Sequence, residues 1–203
     1  EASLKIGTLN GIGNKMSNPH ILILPYLKKE AVLSSKIEGT RTTLSEIFRS
    51  EKVKDKEDDD MEEVKNYIKA LEYGLNEIKT KEINSQLILQ LHNILMQGVR
   101  GKDKEPGEFR SVQNWIGNSY DIHEAKFVPP RPESISYLIK NLDEYINNNQ
   151  NNDIIKISII HYQFETIHPF RDGNGRLGRL LIILYLCKKE ILSLPLLYLS
   201  AFF

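Results

Sequence analysis

The sequence predicts a mainly α-helical protein, organised as a bundle around two buried helices. Apolar residues recur at intervals of three and four over most of the 203 residues, which is the spacing of one helix face. Two segments in the C-terminal third are apolar on nearly every side, which is typical of helices enclosed by others. Only residues 107–132 are predicted not to form a helix. The predicted fold class is therefore all-α apart from one short irregular region.

Two short helices are predicted near the start of the chain. Residues 25–38 are amphipathic, and Gly39 can end that helix because glycine adopts left-handed backbone angles without strain. Thr43-Leu-Ser-Glu46 has the spacing of a capping box, which predicts the first turn of the next helix. The charged run at 52–63 is interpreted as a solvated linker.

Three amphipathic helices follow, each with a recognisable start. Acidic residues at 58–60 suit the first helix, Asn84 can cap the second, and Pro132 fits the first turn of the third. Apolar residues at helical spacing predict their buried faces: Val64, Tyr67, Ile68, Leu71, Leu75 and Ile78, then Leu87, Leu91, Ile94 and Leu95, then Ile135, Leu138, Ile139, Leu142 and Ile146.

The last two helices are expected to form the centre of the bundle. Residues 154–167 and 177–191 are apolar nearly all round, so we expect both to be buried. The region at 107–132 contains the pair Pro129-Pro130, which forbids a helix there and predicts a loop or a β-hairpin. The apolar end at 196–203 predicts that the chain is a piece cut through packed structure.

Charge and composition exclude several classes of function. Lysine and arginine number 27, as do aspartate and glutamate, so the formal net charge is zero and nothing favours binding to nucleic acid. The longest apolar stretch, residues 180–187, is far shorter than the roughly 20 residues that a membrane span requires. The single Cys187 cannot form an internal disulfide, which favours a reducing, cytoplasmic location.

Residues suited to chemistry are concentrated in the segment His168-Pro-Phe-Arg-Asp-Gly-Asn-Gly-Arg-Leu-Gly-Arg179. Glycines on both sides of Asn174 allow backbone N–H groups to converge on an anion, and the helix that follows adds its unsatisfied N–H groups. Arg176 and Arg179 are three apart on the first turn of that helix, where two guanidinium groups can hold successive phosphates. The segment therefore predicts a polyphosphate site.

Two further side chains of this segment suit group transfer from a nucleotide. A carboxylate beside phosphates is best explained by a divalent cation, so Asp172 is the predicted Mg²⁺ ligand. The imidazole of His168 titrates near neutrality and can remove the proton of an incoming hydroxyl. Phe170 is expected to anchor the turn by burial.

Three other interpretations are open at this point. Gly173 to Gly178 matches the G-x-G-x-x-G dinucleotide fingerprint, but no strand-like segment precedes it and the chain lacks an alternating β/α pattern. His161, Glu165 and His168 recur on one helical face and could bind a metal, which would leave the arginines and glycines without a role. The third is a module that senses ATP without transferring any part of it. Covalent attachment of nucleotide to protein would separate that module from an enzyme.

The segment 168–179 matches in full the signature H-x-F-x-D/E-G-N-G-R-x-x-R, and here the chain resembles Fic-domain proteins. Stretches similar to the helix before the domain and to the flap of bacterial members are Glu63-Val-Lys-Asn-Tyr67, Gly107-Glu-Phe-Arg110, Gln113-Asn-Trp-Ile-Gly117 and Phe127-Val-Pro-Pro130. The resemblance covers most of the chain from Leu33 onward. It implies a helical bundle with a short β-hairpin flap, with a Fic domain at 58–203 and an N-terminal region at 1–57.

The implied activity is transfer of AMP from ATP to a Ser, Thr or Tyr hydroxyl of a target protein or of the chain itself. His168 would be the general base, Asp172 the Mg²⁺ ligand and Asn174 a neighbour of the α-phosphate. The residues that would bind ATP and its phosphates are Gly173, Asn174, Gly175, Arg176, Leu177, Gly178 and Arg179. The flap residues that would cover the nucleotide and dock the target backbone as an added strand are Ile116, Gly117 and Asn118.

A second match lies far from the active segment. Ser34-Ser-Lys-Ile-Glu38-Gly39 fits S/T-x-x-x-E-G/N, the inhibitory motif of Fic proteins that carry an inhibitor helix before the domain. A glutamate at a helix C-terminus faces the negative end of the helix dipole, which costs about 0.3–1 kcal/mol unless a cation compensates. Arg179 is the expected cation for Glu38, so the helix at 25–39 is predicted to be autoinhibitory.

Some properties lie outside the motif. The motif contacts phosphates only, so the preference for adenine rests on the resemblance. Relatives continue past Leu-Tyr-Leu-Ser200 to residues near the base, so we expect a chain that ends at Phe203 to be truncated and to lack part of adenine recognition. Removal of AMP, and phosphate transfer from a differently oriented nucleotide, would use the same residues. A homodimer is the base-rate expectation for its assembly.

Overall fold

The computed structural model describes residues 1–15, 18, 20–50, 59–98, 104–117, 121–148 and 152–202. Over these ranges the chain forms eight α-helices, α1 to α8: Ala2–Lys15, His20–Ile37, Leu44–Ser50, Asp59–Glu77, Ser85–Leu95, Pro132–Asn148, Asp153–Ile167 and Asn174–Lys188. Short 3-10 helices occur at Ile122–Glu124 and Leu199–Ala201. The predicted mainly helical fold is confirmed. No helix in the described part of the chain combines the length and apolar character that a bilayer crossing needs.

Helix α8 lies at the centre of the bundle, as predicted. Every residue from Leu177 to Leu186 is buried, and α2, α4, α5 and α7 pack around the helix. A Cβ atom at Gly74 of α4 would lie 2.6 Å from a methyl carbon of Leu184. Helix α4 can therefore approach α8 this closely only because position 74 has no side chain.

Helix α7 differs from the prediction, because only one of its sides is buried. Its core residues are Ile157, Ile160, Phe164 and Ile167. Its outer side exposes Ile155, Ile159 and Tyr162. Helices α6 and α8 pack against α7, and within the described residues they leave the outer side open. The prediction that this helix is buried on all sides was wrong, because a continuous apolar pattern gives the composition of a helix and not the number of helices that pack against it.

The three amphipathic helices form where the sequence predicts them. Helix α5 is capped by Asn84, whose side-chain oxygen accepts a hydrogen bond from the Leu87 N–H at 3.0 Å. Helix α6 begins at Pro132, a position where the missing N–H has no helical partner to lose. Helix α4 begins with Asp59 and Asp60, which favourably face the positive end of the helix dipole.

The N-terminal third contains more helix than the sequence predicts. Helix α1 was not predicted, and α2 begins at His20 and continues through Pro25, five residues before the expected start. Helix α2 ends at Ile37, and Gly39 has a positive φ of 99°, as expected of a residue that terminates a helix. The predicted capping box of α3 is confirmed by the Thr43 N–H, which donates to the Glu46 carboxylate at 2.7 Å.

The charged run at 52–63, predicted as a linker, is helical in the part that the structure describes. Residues 51–58 lie outside the described residues, whereas Asp59 to Glu63 form the first turn of α4. The linker interpretation is wrong for this second part, because the acidic residues stabilise a helix start. Glu63 in particular is buried, with 6% of its surface exposed.

The region at 107–132 is irregular, and the expected β-hairpin flap reduces to one antiparallel bridge within the described residues. Ile116 pairs with Phe127: the Ile116 N–H donates to the Phe127 carbonyl at 2.9 Å, and the Phe127 N–H donates back at 3.2 Å. Pro129 and Pro130 have no N–H and cannot extend a ladder beyond the bridge. Asn118, the third predicted flap residue, lies outside the described residues.

Candidate active site

The segment 168–179 is a sharp connection between α7 and α8. His168 ends α7 in the left-handed region with φ 48°, and Gly173 precedes α8 with φ 78°. A left-handed angle at a non-glycine residue costs of order 1 kcal/mol and persists only where the surroundings hold it. The first backbone N–H groups of α8 are thereby placed beside the loop, as an anion site requires.

Asn174 holds the loop closed. Its side-chain oxygen accepts from the Phe170 N–H and its amide nitrogen donates to the Phe170 carbonyl, both at 2.9 Å. Asn174 is buried, and its side chain braces the turn. Its place beside the α-phosphate stays a prediction. Phe170 is fully buried, which confirms its predicted role as the anchor of the turn.

His92 of α5 supports the loop from behind, although the sequence analysis did not identify it. Its ring stacks on Phe170 with centroids 3.7 Å apart. The Gly107 N–H donates to Nδ1 at 2.9 Å, so the ring proton lies on Nε2, which donates to the Asp172 carbonyl at 3.0 Å. Burial lowers the pKa of His92 to about 4 and keeps the ring neutral. A histidine among the buried apolar positions of α5 was the available signal.

Arg110 is the second support of the loop, and the sequence places it only within a flap-like stretch. Its Nε donates to the His168 carbonyl at 2.8 Å and one Nη donates to the Pro130 carbonyl at 2.6 Å. The Arg110 N–H also donates to the Pro169 carbonyl at 2.9 Å. Only 2% of the residue is exposed, and burial lowers its pKa. One arginine thus fixes both the end of α7 and the region that was predicted as the flap.

His168 presents a largely buried imidazole at the start of the loop. Burial lowers its pKa below the usual 6.5, although the backbone carbonyl of Glu165 acts in the opposite direction. Its buried Nδ1 has no hydrogen-bond partner among the described residues. The neutral ring that results at pH 7 can accept a proton.

Asp172 is the accessible carboxylate of the segment, with 46% of its side chain exposed. One oxygen accepts from the Gly173 N–H at 2.6 Å, and Arg176 lies 3.5 Å from the same oxygen. Within the described residues no three His, Cys, Asp or Glu side chains cluster as a metal site would require. The alternative metal site at His161, Glu165 and His168 is therefore not formed. A helix, α7, precedes the glycines, which also removes the dinucleotide-binding alternative.

Arg176 and Arg179 point to different helices. Arg176 donates to the Glu63 carboxylate of α4 at 2.9 Å, and both side chains are at least nine-tenths buried. Arg179 faces α2: one Nη lies 2.7 Å from Glu38 and 3.0 Å from the Ser34 carbonyl. Its Nε donates to the Ser34 hydroxyl at 2.9 Å. The predicted contact of Glu38 with Arg179 is thus present.

Three other residues predicted to bind ATP, one leucine and two glycines, lie close to residues of neighbouring segments. Leu177 is fully buried in the core. Gly175 lies under the Glu38 carboxylate, where a Cβ atom would be 2.3 Å from an oxygen, and Gly178 lies equally close to a carboxyl oxygen of Glu165. At Gly175 and Gly178 a hydrogen in place of a side chain therefore admits a carboxylate from a neighbouring helix.

The flap residues are placed only in part. Ile116 is 41% exposed, and Gly117 follows it beside the single bridge to Phe127. An exposed backbone next to a paired residue is suited to binding an extended peptide. Asn118 was assigned the same role but lies outside the described residues.

Comparison with known proteins identifies the family. The Fic/DOC family N-terminal model matches residues 1–76 and the Fic/DOC family model matches residues 82–186. The probable protein adenylyltransferase aq_aa38 of Aquifex aeolicus is 31% identical over 84% of this chain and 51% of its own length. The protein adenylyltransferase Fic of Drosophila grimshawi is 31% identical over 76% of this chain and 33% of its own. This chain thus spans about half, or about a third, of these curated relatives.

Solved structures share the fold. A Fic domain containing signaling protein from Bacteroides thetaiotaomicron aligns over 93% of this chain and 73% of its own, with TM-score 0.74 at 20% identity. A Fic family protein from Desulfovibrio desulfuricans aligns over 99% and 62%, with TM-score 0.72 at 24% identity. The Fic/DOC model alone spans residues 82–186, more than half of the 203 residues, and the whole signature is present at the start of α8. The chain belongs to the Fic/DOC family.

Proposed function

We propose that this chain transfers AMP from ATP to a Ser, Thr or Tyr hydroxyl of a protein, and that Glu38 restrains the transfer. The observation that carries the proposal is the contact of Glu38 with Arg179, which joins the two sequence motifs at 2.7 Å. The curated relatives carry the name protein adenylyltransferase, which supports the same reaction.

The proposed reaction uses His168 as the base. The target hydroxyl loses its proton to the neutral imidazole, its oxygen attacks the α-phosphorus, and pyrophosphate leaves as the α–β bridging bond breaks. The N–H groups at the start of α8, behind Gly173, face the negative charge that develops on the α-phosphate. Arg110 and His92 hold the loop, so the base and these donors keep their relative positions.

Asp172 is the proposed magnesium ligand, and its surroundings fit that cation. Mg²⁺ is commonly held by one or two carboxylates together with phosphate oxygens and water. Asp172 offers a half-exposed carboxylate with one oxygen turned to the Gly173 N–H. When bound, Mg²⁺ would neutralise charge on the phosphates. The protein contributes the carboxylate, the N–H groups of the loop and the two arginines.

The restraint follows from what Arg179 can contact at one time. Its guanidinium donates to Glu38 and Ser34, and only 8% of its side chain is exposed. A γ-phosphate that needs the same guanidinium must displace Glu38. We therefore propose that Glu38 misplaces the triphosphate for attack.

The proposed partners are ATP, Mg²⁺ and a protein with an accessible hydroxyl. A second copy of the chain is the proposed partner in assembly. A reducing, cytoplasmic location is proposed because the single Cys187 has no partner for an internal disulfide.

Intact-mass spectrometry tests the function directly. The Glu38→Gly variant would be incubated with Mg²⁺, ATP and a cell lysate, and modified proteins would be identified by the mass they gain. An AMP-sized increment supports the proposal. A phosphate-sized increment would establish phosphotransfer, loss of AMP from a pre-modified target would establish the reverse reaction, and no covalent change would leave a nucleotide sensor.

A further inference from the structure

The buried ion pair between Glu63 and Arg176 joins the beginning of α4 to the beginning of α8. The two residues are 113 positions apart, their charged atoms lie 2.9 Å apart, and their side chains are 8% and 3% exposed. A buried charge that loses its partner is strongly unfavourable, so each of these side chains holds the other in place. Arg176 belongs to the active segment, whereas no role has been assigned to Glu63.

The orientation of Arg176 connects Glu63 to the proposed magnesium ligand. One terminal nitrogen of Arg176 faces Glu63, while the other lies 3.5 Å from Asp172 and 3.7 Å from the Met96 sulfur. The guanidinium group is planar and rigid, so the contact at one nitrogen sets the position of the other. The shorter contact, at 2.9 Å, is the one to Glu63.

We propose that Glu63 is a positioning residue that limits the ion pair of Arg176 with Asp172 to a long contact of 3.5 Å. Arg176 lies one helical turn after Asp172, a spacing that favours a direct ion pair. Glu63 draws the guanidinium towards α4 and offsets its charge, so Asp172 remains available to a cation. The proposal rests on the proposed function, because it assumes that Asp172 binds Mg²⁺ beside a nucleotide.

Replacement of Glu63 by Gln removes the charge and keeps the size of the side chain. Arg176 would then turn to Asp172, and Mg²⁺ would have to displace it. Replacement of a residue that supports a metal ligand typically lowers the metal affinity about 10–100-fold. We expect Glu63→Gln to need at least ~10-fold more Mg²⁺ for half-maximal ATP binding. At saturating Mg²⁺ the AMP-transfer rate should be regained.

The experiment uses the Glu38→Gly background and isothermal calorimetry at several Mg²⁺ concentrations. Glu62→Gln is the matched control, because Glu62 is the neighbour on α4 and pairs with the half-exposed Lys69. A purely structural Glu63 would lower the thermal midpoint without moving the Mg²⁺ requirement, and that result would overturn the proposal. Calorimetry decides the matter even if no AMP transfer is found, a result that would count against the proposed function alone.

A variant that keeps the charge covers the case in which Glu63→Gln does not fold. Glu63→Asp retains the carboxylate but withdraws it by one methylene, so a smaller increase in the Mg²⁺ requirement is expected. If a folded Glu63→Asp protein shows the same Mg²⁺ requirement and the same ATP affinity as its parent, Glu63 has no positioning role.

Discussion

His168 combines a strained backbone with a neutral imidazole. Its left-handed φ of 48° is held by Arg110, which binds the His168 carbonyl, so the ring is positioned independently of any ligand. We predict that His168→Ala abolishes AMP transfer while ATP binding stays within a few-fold, because the phosphate donors belong to other residues. Mass spectrometry and calorimetry on the Glu38→Gly background measure the two quantities. Retained transfer would remove His168 from the role of base.

The pH dependence of transfer should report the same imidazole. Burial lowers the pKa of His168 below 6.5, and only the neutral ring can accept the hydroxyl proton. We therefore expect a rate that is level between pH 7 and 8 and that falls as the pH drops through the lowered pKa. Single-turnover rates at saturating Mg²⁺ and ATP check this. A midpoint above pH 7 would contradict the neutral base.

At the level of residues, the sequence predicts the residues that would react or bind ATP better than it predicts the residues that hold them in position. The contact of Glu38 with Arg179 was predicted from two motifs, and the structure places their atoms 2.7 Å apart. His92 was not identified, and Arg110 and Glu63 were given no individual role, because their partners lie 80, 58 and 113 positions away. A buried polar residue resembles any other polar residue until the fold shows what it contacts.

Helix α2 ends at the active segment, and the proposed inhibitor, Glu38, directly follows its last residue, Ile37. We predict that Glu38→Gly raises AMP transfer, on the order of 10²-fold if misalignment of the triphosphate is what limits the rate. The double variant Glu38→Gly with Arg179→Ala should lose the gain, because the released guanidinium is its cause. Autoradiography with labelled ATP measures both variants. An unchanged rate in a Glu38→Gly protein that remains folded by circular dichroism would contradict autoinhibition.

Helix α7 carries a buried carboxyl group whose ionisation opposes folding. Burial raises the pKa of Glu165 from 4.5 to about 7, while Arg179 partly offsets this effect. The folded state binds the proton more tightly than the unfolded state, so stability falls as pH rises from 4.5 to 7. Replacement by Gln should therefore stabilise the protein more at pH 8 than at pH 5, by about 2–3 kcal/mol.

Urea unfolding of the wild type and of Glu165→Gln at both pH values provides this measurement. Glu144→Gln on the exposed side of α6 is the control substitution. If the free-energy difference between Glu165→Gln and the wild type is the same at pH 5 and pH 8, Glu165 is ionised throughout.

At the level of elements, periodicity predicted which segments are helical but not what surrounds them. Helices α4, α5, α6 and α8 form as expected because their apolar spacing and starting residues agree. The outer side of α7 is exposed, and α2 continues back through Pro25 to His20. Both differences depend on packing between distant segments, which the spacing of apolar residues along one helix does not contain.

Across the whole molecule, one polar cluster ties three distant segments to the active site. Glu30 of α2 accepts hydrogen bonds from the Ser200 hydroxyl at 2.6 Å and the Ser200 N–H at 3.1 Å. The Tyr67 hydroxyl of α4 lies 3.5 Å from the same carboxylate and interacts with Ser34, which binds Arg179. Helix α2 is thus held at its middle by Glu30 and at its end by Ser34 and Glu38.

Competition for the Arg179 guanidinium has a thermodynamic consequence for the whole molecule. Coupling between two binding events is reciprocal, so if Glu38 weakens the hold on a γ-phosphate, a γ-phosphate must equally weaken the hold on α2. We predict that ATP speeds hydrogen exchange of the last amides of α2, whereas ADP, which has no γ-phosphate, does not. Equal exchange with the two nucleotides would contradict direct competition.

The ion pair of Glu38 and Arg179 would then respond to the relative amounts of ATP and ADP. Release of α2 would depend on the ratio of ATP to ADP, because ADP fills the site without engaging the contested arginine. When the ATP concentration in a cell falls, a smaller fraction of the enzyme would be free of inhibition by Glu38. A carboxylate 2.7 Å from one arginine would thereby make protein modification responsive to energy charge.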